Sequence, residues 1–237
     1  MAGFPPPYCV RVSARAKNVI IKLIPDQGIE VVLPKGIDQS EVPGFLERRR
    51  EWIEEGIKKL EEKGLSLSPP DLILPDVIYF SATGEEYTIR RVRNHKSGLR
   101  LRKNVDRLLI SGKDWTDENE LSVLRAFVRN QAKVFLVKEL QKISHDLNLP
   151  FNKVFIRSQR KRWGSCSVKG NINLNLKLMF LPYQLVHYVL VHELCHTVHL
   201  NHSAKYWRLV KMVEPDVERL EKELSGAGKL VPAWINF

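Results

Sequence analysis

The chain has 237 residues, 43% of them hydrophobic and 27% charged. That composition excludes a disordered or collagen-like polypeptide. Its 38 Lys and Arg against 27 Asp and Glu give a formal net charge of +11, which points to an anionic partner such as nucleic acid, a phosphate ligand or a membrane surface. Cysteines occur only at Cys9, Cys166 and Cys195, with no CxxC, so no disulfide framework is expected and a reducing compartment fits. Met1 to Tyr8 holds prolines and no apolar run, and no stretch approaches the ~20 apolar residues of a spanning helix. A cytoplasmic protein with no membrane association is expected.

In chain order, Val10 to Leu33 reads as a β-hairpin, with strands 19–24 and 29–33 about a turn at Pro25-Asp26-Gln27-Gly28. Asp38 or Ser40 caps a helix reaching about Lys63, with Trp52, Ile53, Ile57 and Leu60 as its buried stripe. Gly64 ends it, and Ser68-Pro69-Pro70 reads as a linker. A second β section spans 77–111, with strands at 78–80, 86–93, 99–102 and 108–111. Asp117 opens a long helix to about Leu147, carrying Leu121, Leu124, Phe127, Val128, Val134, Phe135 and Leu140, and Asn148 and Pro150 stop it. Strands follow at 154–157 and 172–176. In the second, Ile172, Leu174 and Leu176 alternate with Asn171, Asn173 and Asn175, giving one apolar and one amide face. Helices are expected over 183–200 and 203–224. The chain therefore divides into an N-terminal β-rich region with one helix, 1–115, and a C-terminal domain, 116–237.

The charge is not evenly spread. From Leu147 to His192 there is no Asp or Glu, while Lys153, Arg157, Arg160, Lys161, Arg162, Lys169 and Lys177 make that segment +7. Residues 1–146 carry +4 and residues 193–237 are neutral overall. The basic segment ends at the sharpest motif in the chain, His192-Glu193-Leu194-Cys195-His196. Histidines at i and i+4 share a helix face, so both imidazoles reach one ion, and zinc is the ion expected of imidazole ligands. Glu193 is rotated by ~100° and can take a proton from metal-bound water. A catalytic zinc needs a third protein ligand. His202, six residues beyond His196, has the separation seen in HExxHxxGxxH sites, with His199 at the glycine position and Asn201 available for the turn. Glu214 is the rival ligand and His199 a weaker one. Cys195 reads as a small buried hydrophobe, and Cys166 has no evident activating pair. Arg162 has two readings: contact with substrate, or pairing with Glu214 or Asp216 while Trp163 packs under the metal helix. Asp216 could instead orient a metal-bound histidine.

Ser158-Gln159-Arg160-Lys161-Arg162-Trp163-Gly164-Ser165-Cys166, the strand Ile172-Asn173-Leu174-Asn175, the HExxH segment and Asn201-His202-Ser203-Ala204-Lys205-Tyr206-Trp207 together resemble the YgjP-like family of metal-dependent hydrolases, which is related to SprT-like and other zincin metallopeptidases. The match is strong over 156–207 and looser over 10–63, and the region 64–148 carries an extra β section. The resemblance implies an α+β, zincin-like fold, with the HExxH helix packed on a small antiparallel sheet. It also implies zinc on His192, His196 and His202, with Glu193 as general base. An edge strand above the metal helix typically binds extended peptide in zincins, and 172–176 is the expected candidate. Members are labelled both metallopeptidases and nucleoside triphosphate pyrophosphohydrolases. Three functions therefore stand. One is a zinc peptidase. Another is a metal-dependent nucleotide hydrolase in which Arg157, Arg160, Lys161 and Arg162 grip phosphates. The third is a nucleic-acid-associated protein using Trp163 and the basic second β section, with Arg90, Arg91, Arg93, Lys96, Arg100, Arg102 and Lys103. Expected substrate contacts are Arg160, Arg162, Asn173 and Asn175.

Overall fold

The computed structural model describes residues 4–6, 8–25, 28–62, 66–67 and 73–236. The backbone forms two compact units, 1–72 and 73–237. The boundary thus falls well before the one expected at residue 115. The second β section belongs with the long helix because its apolar face packs there, and it does not extend the N-terminal region. The Ser68-Pro69-Pro70 linker, Gly64 and the Asp26-Gln27 turn tip lie outside the described residues.

In the first unit, strands β1 (Tyr8–Ser13), β2 (Ile20–Ile24) and β3 (Gly28–Pro34) form a sheet of order β1-β3-β2. β2 and β3 make the expected hairpin, and β1 adds to the far edge of β3 in parallel. β3 is central, which fits its nearly unbroken apolar run: Ile29, Val31 and Leu33 are fully buried. The helix after it is broken in two, α1 (Val42–Glu47) and α2 (Arg50–Glu61), with Arg49 outside helical geometry. Ile53, Ile57 and Leu60 are spaced i, i+4, i+7 and share one face of α2. Ile53 is buried, but Trp52, ~100° away around the helix, is 48% exposed. Val42, Leu46, Ile53 and Leu67 complete this core.

The second unit begins with β4 (Val77–Phe80), β5 (Glu85–Arg93), β6 (Leu99–Asn104) and β7 (Arg107–Gly112), in sheet order β4-β5-β7-β6. β5 and β7 run parallel, and the other pairs are antiparallel. Alternation puts Ile78, Phe80, Tyr87, Ile89, Leu108 and Ile110 on one buried face. That face meets the 30-residue helix α3 (Asp117–Asp146). Thr116 caps α3 by accepting a hydrogen bond from the Asn119 amide, and three acidic residues occupy the first turn, where the helix dipole favours them. At the other end Asn148 takes a positive φ of 53°. Phe127 on α3 meets Phe80 (6.0 Å between centroids) and Tyr87 (5.3 Å), and Phe180 joins Phe80 at 5.7 Å. Val134, placed on the stripe by sequence, is exposed. Arg91 reaches from β5 to the buried carboxylate of Glu120 on α3 (Nε–Oε1 2.7 Å).

A second sheet, β8 (Lys153–Arg157), β9 (Gly164–Cys166) and β10 (Asn171–Asn175), has order β8-β10-β9. It is mixed and not wholly antiparallel as expected, because β10 pairs in parallel with β8 and antiparallel with β9. A 3-10 segment, Leu176–Phe180, leads into α4 (Tyr183–Cys195). α4 is buried nearly all round, as its apolar composition requires, and ends five residues earlier than expected. The final helical stretch splits into α5 (Ala204–Val213) and α6 (Val217–Ser225). Pro215, which lacks an amide hydrogen, sits in the gap. No helix among the described residues is long and apolar enough to cross a membrane.

Phe80 is fully buried at the meeting point of the aromatic cluster. Phe80→Ala is expected to destabilise the second unit by about 3–5 kcal/mol, read as a lower denaturant midpoint with an unchanged m-value. A loss below about 1 kcal/mol would contradict this packing.

Candidate metal centre

α4 carries His192 and Glu193 on its last turn, His196 follows as its C-cap, and the chain then turns back so that His202 arrives just before α5. Ser203 caps α5 by accepting from the Tyr206 amide. His202 Nε2 lies 3.1 Å from His196 Nε2 and 3.2 Å from His192 Nε2. All three ligand nitrogens fall within 4.8 Å of one another. Tetrahedral zinc with nitrogen ligands at about 2.0–2.1 Å spaces those nitrogens by about 3.4 Å, so the cluster has the size of a single-ion site.

The protonation pattern fits a cation as well. His196 Nδ1 is 2.9 Å from the His199 carbonyl. A carbonyl accepts only, so the proton sits on Nδ1 and the Nε2 lone pair faces the centre. Burial, with His196 and His202 nearby, pushes His192 down to about 3. Burial first, then the His202 charge, also lowers His196 against the opposing His199 carbonyl. Neutral imidazoles facing each other at hydrogen-bond distance suit a shared cation.

Aromatic rings hold the imidazoles in place. Tyr206 stacks on His196 (4.4 Å, 20°) and donates its hydroxyl to the His192 carbonyl. Trp207 stacks on His202 (5.6 Å, 24°). On the far side of His192, Nδ1 lies 3.9 Å from Glu221 Oε1, which also accepts from the Tyr188 hydroxyl. Tyr188 sits one turn before His192, so its place on that face was readable from sequence. Glu221, on α6, has no local signal. Asp216 does not take this orienting role, because it pairs with Arg219.

Glu193 is 5% exposed, and its Oε2 has no hydrogen-bond partner among the described residues. Burial pushes its carboxyl up to about 8, opposed by the Arg162 charge. It occupies this place because β9 begins with glycine. A Cβ on Gly164 would lie 2.5 Å from Glu193 Oε1 and 2.6 Å from Cγ.

The remaining expected residues are more scattered. Arg162 is exposed and makes no ion pair with Glu214 or Asp216 among the described residues, although its charge acts on Glu193. Glu214, the rival ligand, faces His187 Nδ1 at 3.4 Å and stays out of the cluster. Arg160 is exposed and near enough to Lys177 to disfavour its charge, after the larger effect of burial. Asn175 is not available to substrate. Its buried amide donates to the Gln159 and Arg162 carbonyls at 2.8 Å each and accepts from the Lys177 amide, clamping the 159–162 loop. Asn173 is partly buried and bonds Ser165 and Arg157. Nor is 172–176 an edge strand: β10 is central, with β8 and β9 at the two edges. Burial first, then the Glu193 charge, raises the Cys166 thiol to about 11. Cys195 is buried and likewise raised to about 11.

A family model described as YgjP-like, metallopeptidase domain, matches residues 17–227. The chain belongs to the YgjP-like family. Its α+β fold is consistent with a zincin-like domain, and the family makes it a metal-dependent, peptidase-like hydrolase. Two metallopeptidase zymogen structures are similar to part of this YgjP-like chain. Abylysin of Pyrococcus abyssi is 26% identical with a TM-score of 0.36, over 40% of this chain and 95% of that one. Jannalysin of Methanocaldococcus jannaschii is 19% identical with a TM-score of 0.35, over 38% and 94%. No sequence among curated proteins matches.

The Gly164–Glu193 contact is testable by stability alone. Gly164→Ala should couple to Glu193→Ala by about 0.5–3 kcal/mol in a double-mutant cycle, with the second change relieving the first. Additive effects would show that the two residues do not touch.

Proposed function

We propose that the protein is a zinc peptidase, with one ion held by His192, His196 and His202 and with Glu193 as general base. The observation that carries this is the pairing of three converging imidazole nitrogens with a buried, unpartnered Glu193 carboxylate on the same helix turn. Zinc, when bound, would supply Lewis-acid polarisation of the scissile carbonyl and make water acidic enough to attack it.

The chain's own groups do the rest. Glu193 takes the proton from the attacking water at its free Oε2 and returns it to the leaving amine. Burial raises the Glu193 carboxyl, and the Arg162 charge opposes that rise. Tyr206, Trp207 and the His199 carbonyl fix the imidazole orientations. Glu221 sits behind His192.

Peptide is favoured over nucleotide by the neighbouring strand. β9 pairs with β10 on one side only. Trp163 and Ser167 bond to Asn175 and Asn171, so by antiparallel alternation Gly164 and Cys166 aim their backbone groups at the open edge. An extended peptide added there would pass beside Glu193. Phosphoryl chemistry would more usually ask for carboxylate ligands, and none joins the three histidines among the described residues.

Glu193→Gln is expected to keep about one zinc per chain and lower kcat on peptide substrates by about 10²–10⁴-fold. His202→Ala should lose zinc affinity and activity together. Metal analysis alongside a peptide-library assay checks both, and full peptide cleavage by Glu193→Gln would overturn the assignment.

A further inference from the structure

The four-stranded sheet has a second face, turned away from α3, whose side chains follow from the register. On β5 the outward residues include Arg90, on β7 Arg107 and Leu109, and on β6 Arg100 and Arg102, all exposed. Leu109 sits between Arg90 and Arg102, its direct neighbours on either side. Arg107 lies one step along β7 from Leu109. Arg100 and Arg102 stand about 6.8 Å apart along one strand, and adjacent strands are about 4.8 Å apart. Four guanidinium groups therefore share a small patch.

That patch has no internal counterion to speak of. The side chains of Arg90, Arg100 and Arg102 have no ion pair or hydrogen bond among the described residues. Arg107 has only Asp106, at 3.8 Å and well exposed. Among the described strand residues of this face the carboxylate is Glu86, at the β4 side, opposite Tyr79. Tyr79 itself is 53% exposed and Leu109 39%. Of the other basic residues of the section, Arg93 alternates onto the α3 face of β5 and Lys96 lies in the turn before β6. Arg91 is spent on Glu120, and Lys103 lies over the Tyr87 ring at 4.7 Å on the α3 side.

Guanidinium groups set around an apolar side chain, with an exposed tyrosine on the same sheet face, suit a partner in which phosphates alternate with bases. Arginine holds phosphates with paired donors and also stacks on bases, and Tyr79 adds an aromatic platform. A duplex keeps its bases stacked inside and would leave Tyr79 and Leu109 unused. We propose that this sheet face binds single-stranded nucleic acid, independently of the metal centre.

The test uses the full chain and fluorescently labelled oligonucleotides of about 20 nucleotides, single-stranded and duplex, titrated across salt concentration. With up to four phosphate contacts, the slope of log affinity against log salt should approach about −2.8 for single strands. Arg90→Gln/Arg100→Gln/Arg102→Gln should reduce the slope to about −0.7 and weaken binding by about tenfold or more at about 50 mM salt. Tyr79→Ala should weaken binding by about fivefold or more without changing the slope. Lys17→Gln/Lys35→Gln/Lys58→Gln removes the same charge from exposed positions in the first unit, and should leave affinity within about twofold. The proposal is overturned if the arginine triple variant binds like wild type, or if the lysine control loses as much. It is also overturned if the duplex binds as well as the single strand, or if poly-glutamate competes as well as the oligonucleotide.

Discussion

The close approach of β9 to α4 governs the arrangement of the centre. Glu193 is buried with one carboxylate oxygen unpaired because Gly164 has no side chain to occupy that space. Leaving a buried acceptor unpaired is costly, and the surrounding structure holds it there. β10 is locked between β8 and β9, and the Asn175 amide ties down the loop that delivers Trp163 and Gly164. The apolar α4, buried nearly all round, fixes the other side.

The histidines depend on the same burial. Placing His192 and His196 at the end of an apolar helix keeps them neutral, so their lone pairs are available at neutral pH. His202 comes from beyond the helix and is exposed, which leaves the cluster open to solvent on that side. The two rings beside it, Tyr206 and Trp207, belong to the capped first turn of α5. Ser203, by starting that helix, therefore also sets the positions of the rings that pack on the imidazoles.

Much of this was legible in the sequence. The i, i+4 histidines, the apolar character of α4 and the strands of the second β section follow from spacing and alternation, and those strands lie within a residue or two of where they were read. Other features were hidden for specific reasons. β9 has three residues, too few for any alternation to show, so the edge position passed to β10 by default. Asn175 looked like part of an amide-lined face, but its bonds run to a loop more than a dozen residues away. Trp52 was misplaced because it lies one residue off the i, i+4, i+7 face formed by Ile53, Ile57 and Leu60. The second β section was read together with its sequence neighbours, whereas its apolar face packs on α3. Glu221 and Gly164 have meaning only once the chain has brought them to His192 and Glu193.

Diffraction from crystals grown with zinc, recorded at the zinc absorption edge, addresses the central claim most directly. The account predicts a single anomalous peak about 2.0–2.1 Å from the Nε2 atoms of His192, His196 and His202, with the Glu193 carboxylate beside it and not bonded to it. A peak bound by Glu193 or Glu214, or one lying away from the three imidazoles, would contradict it.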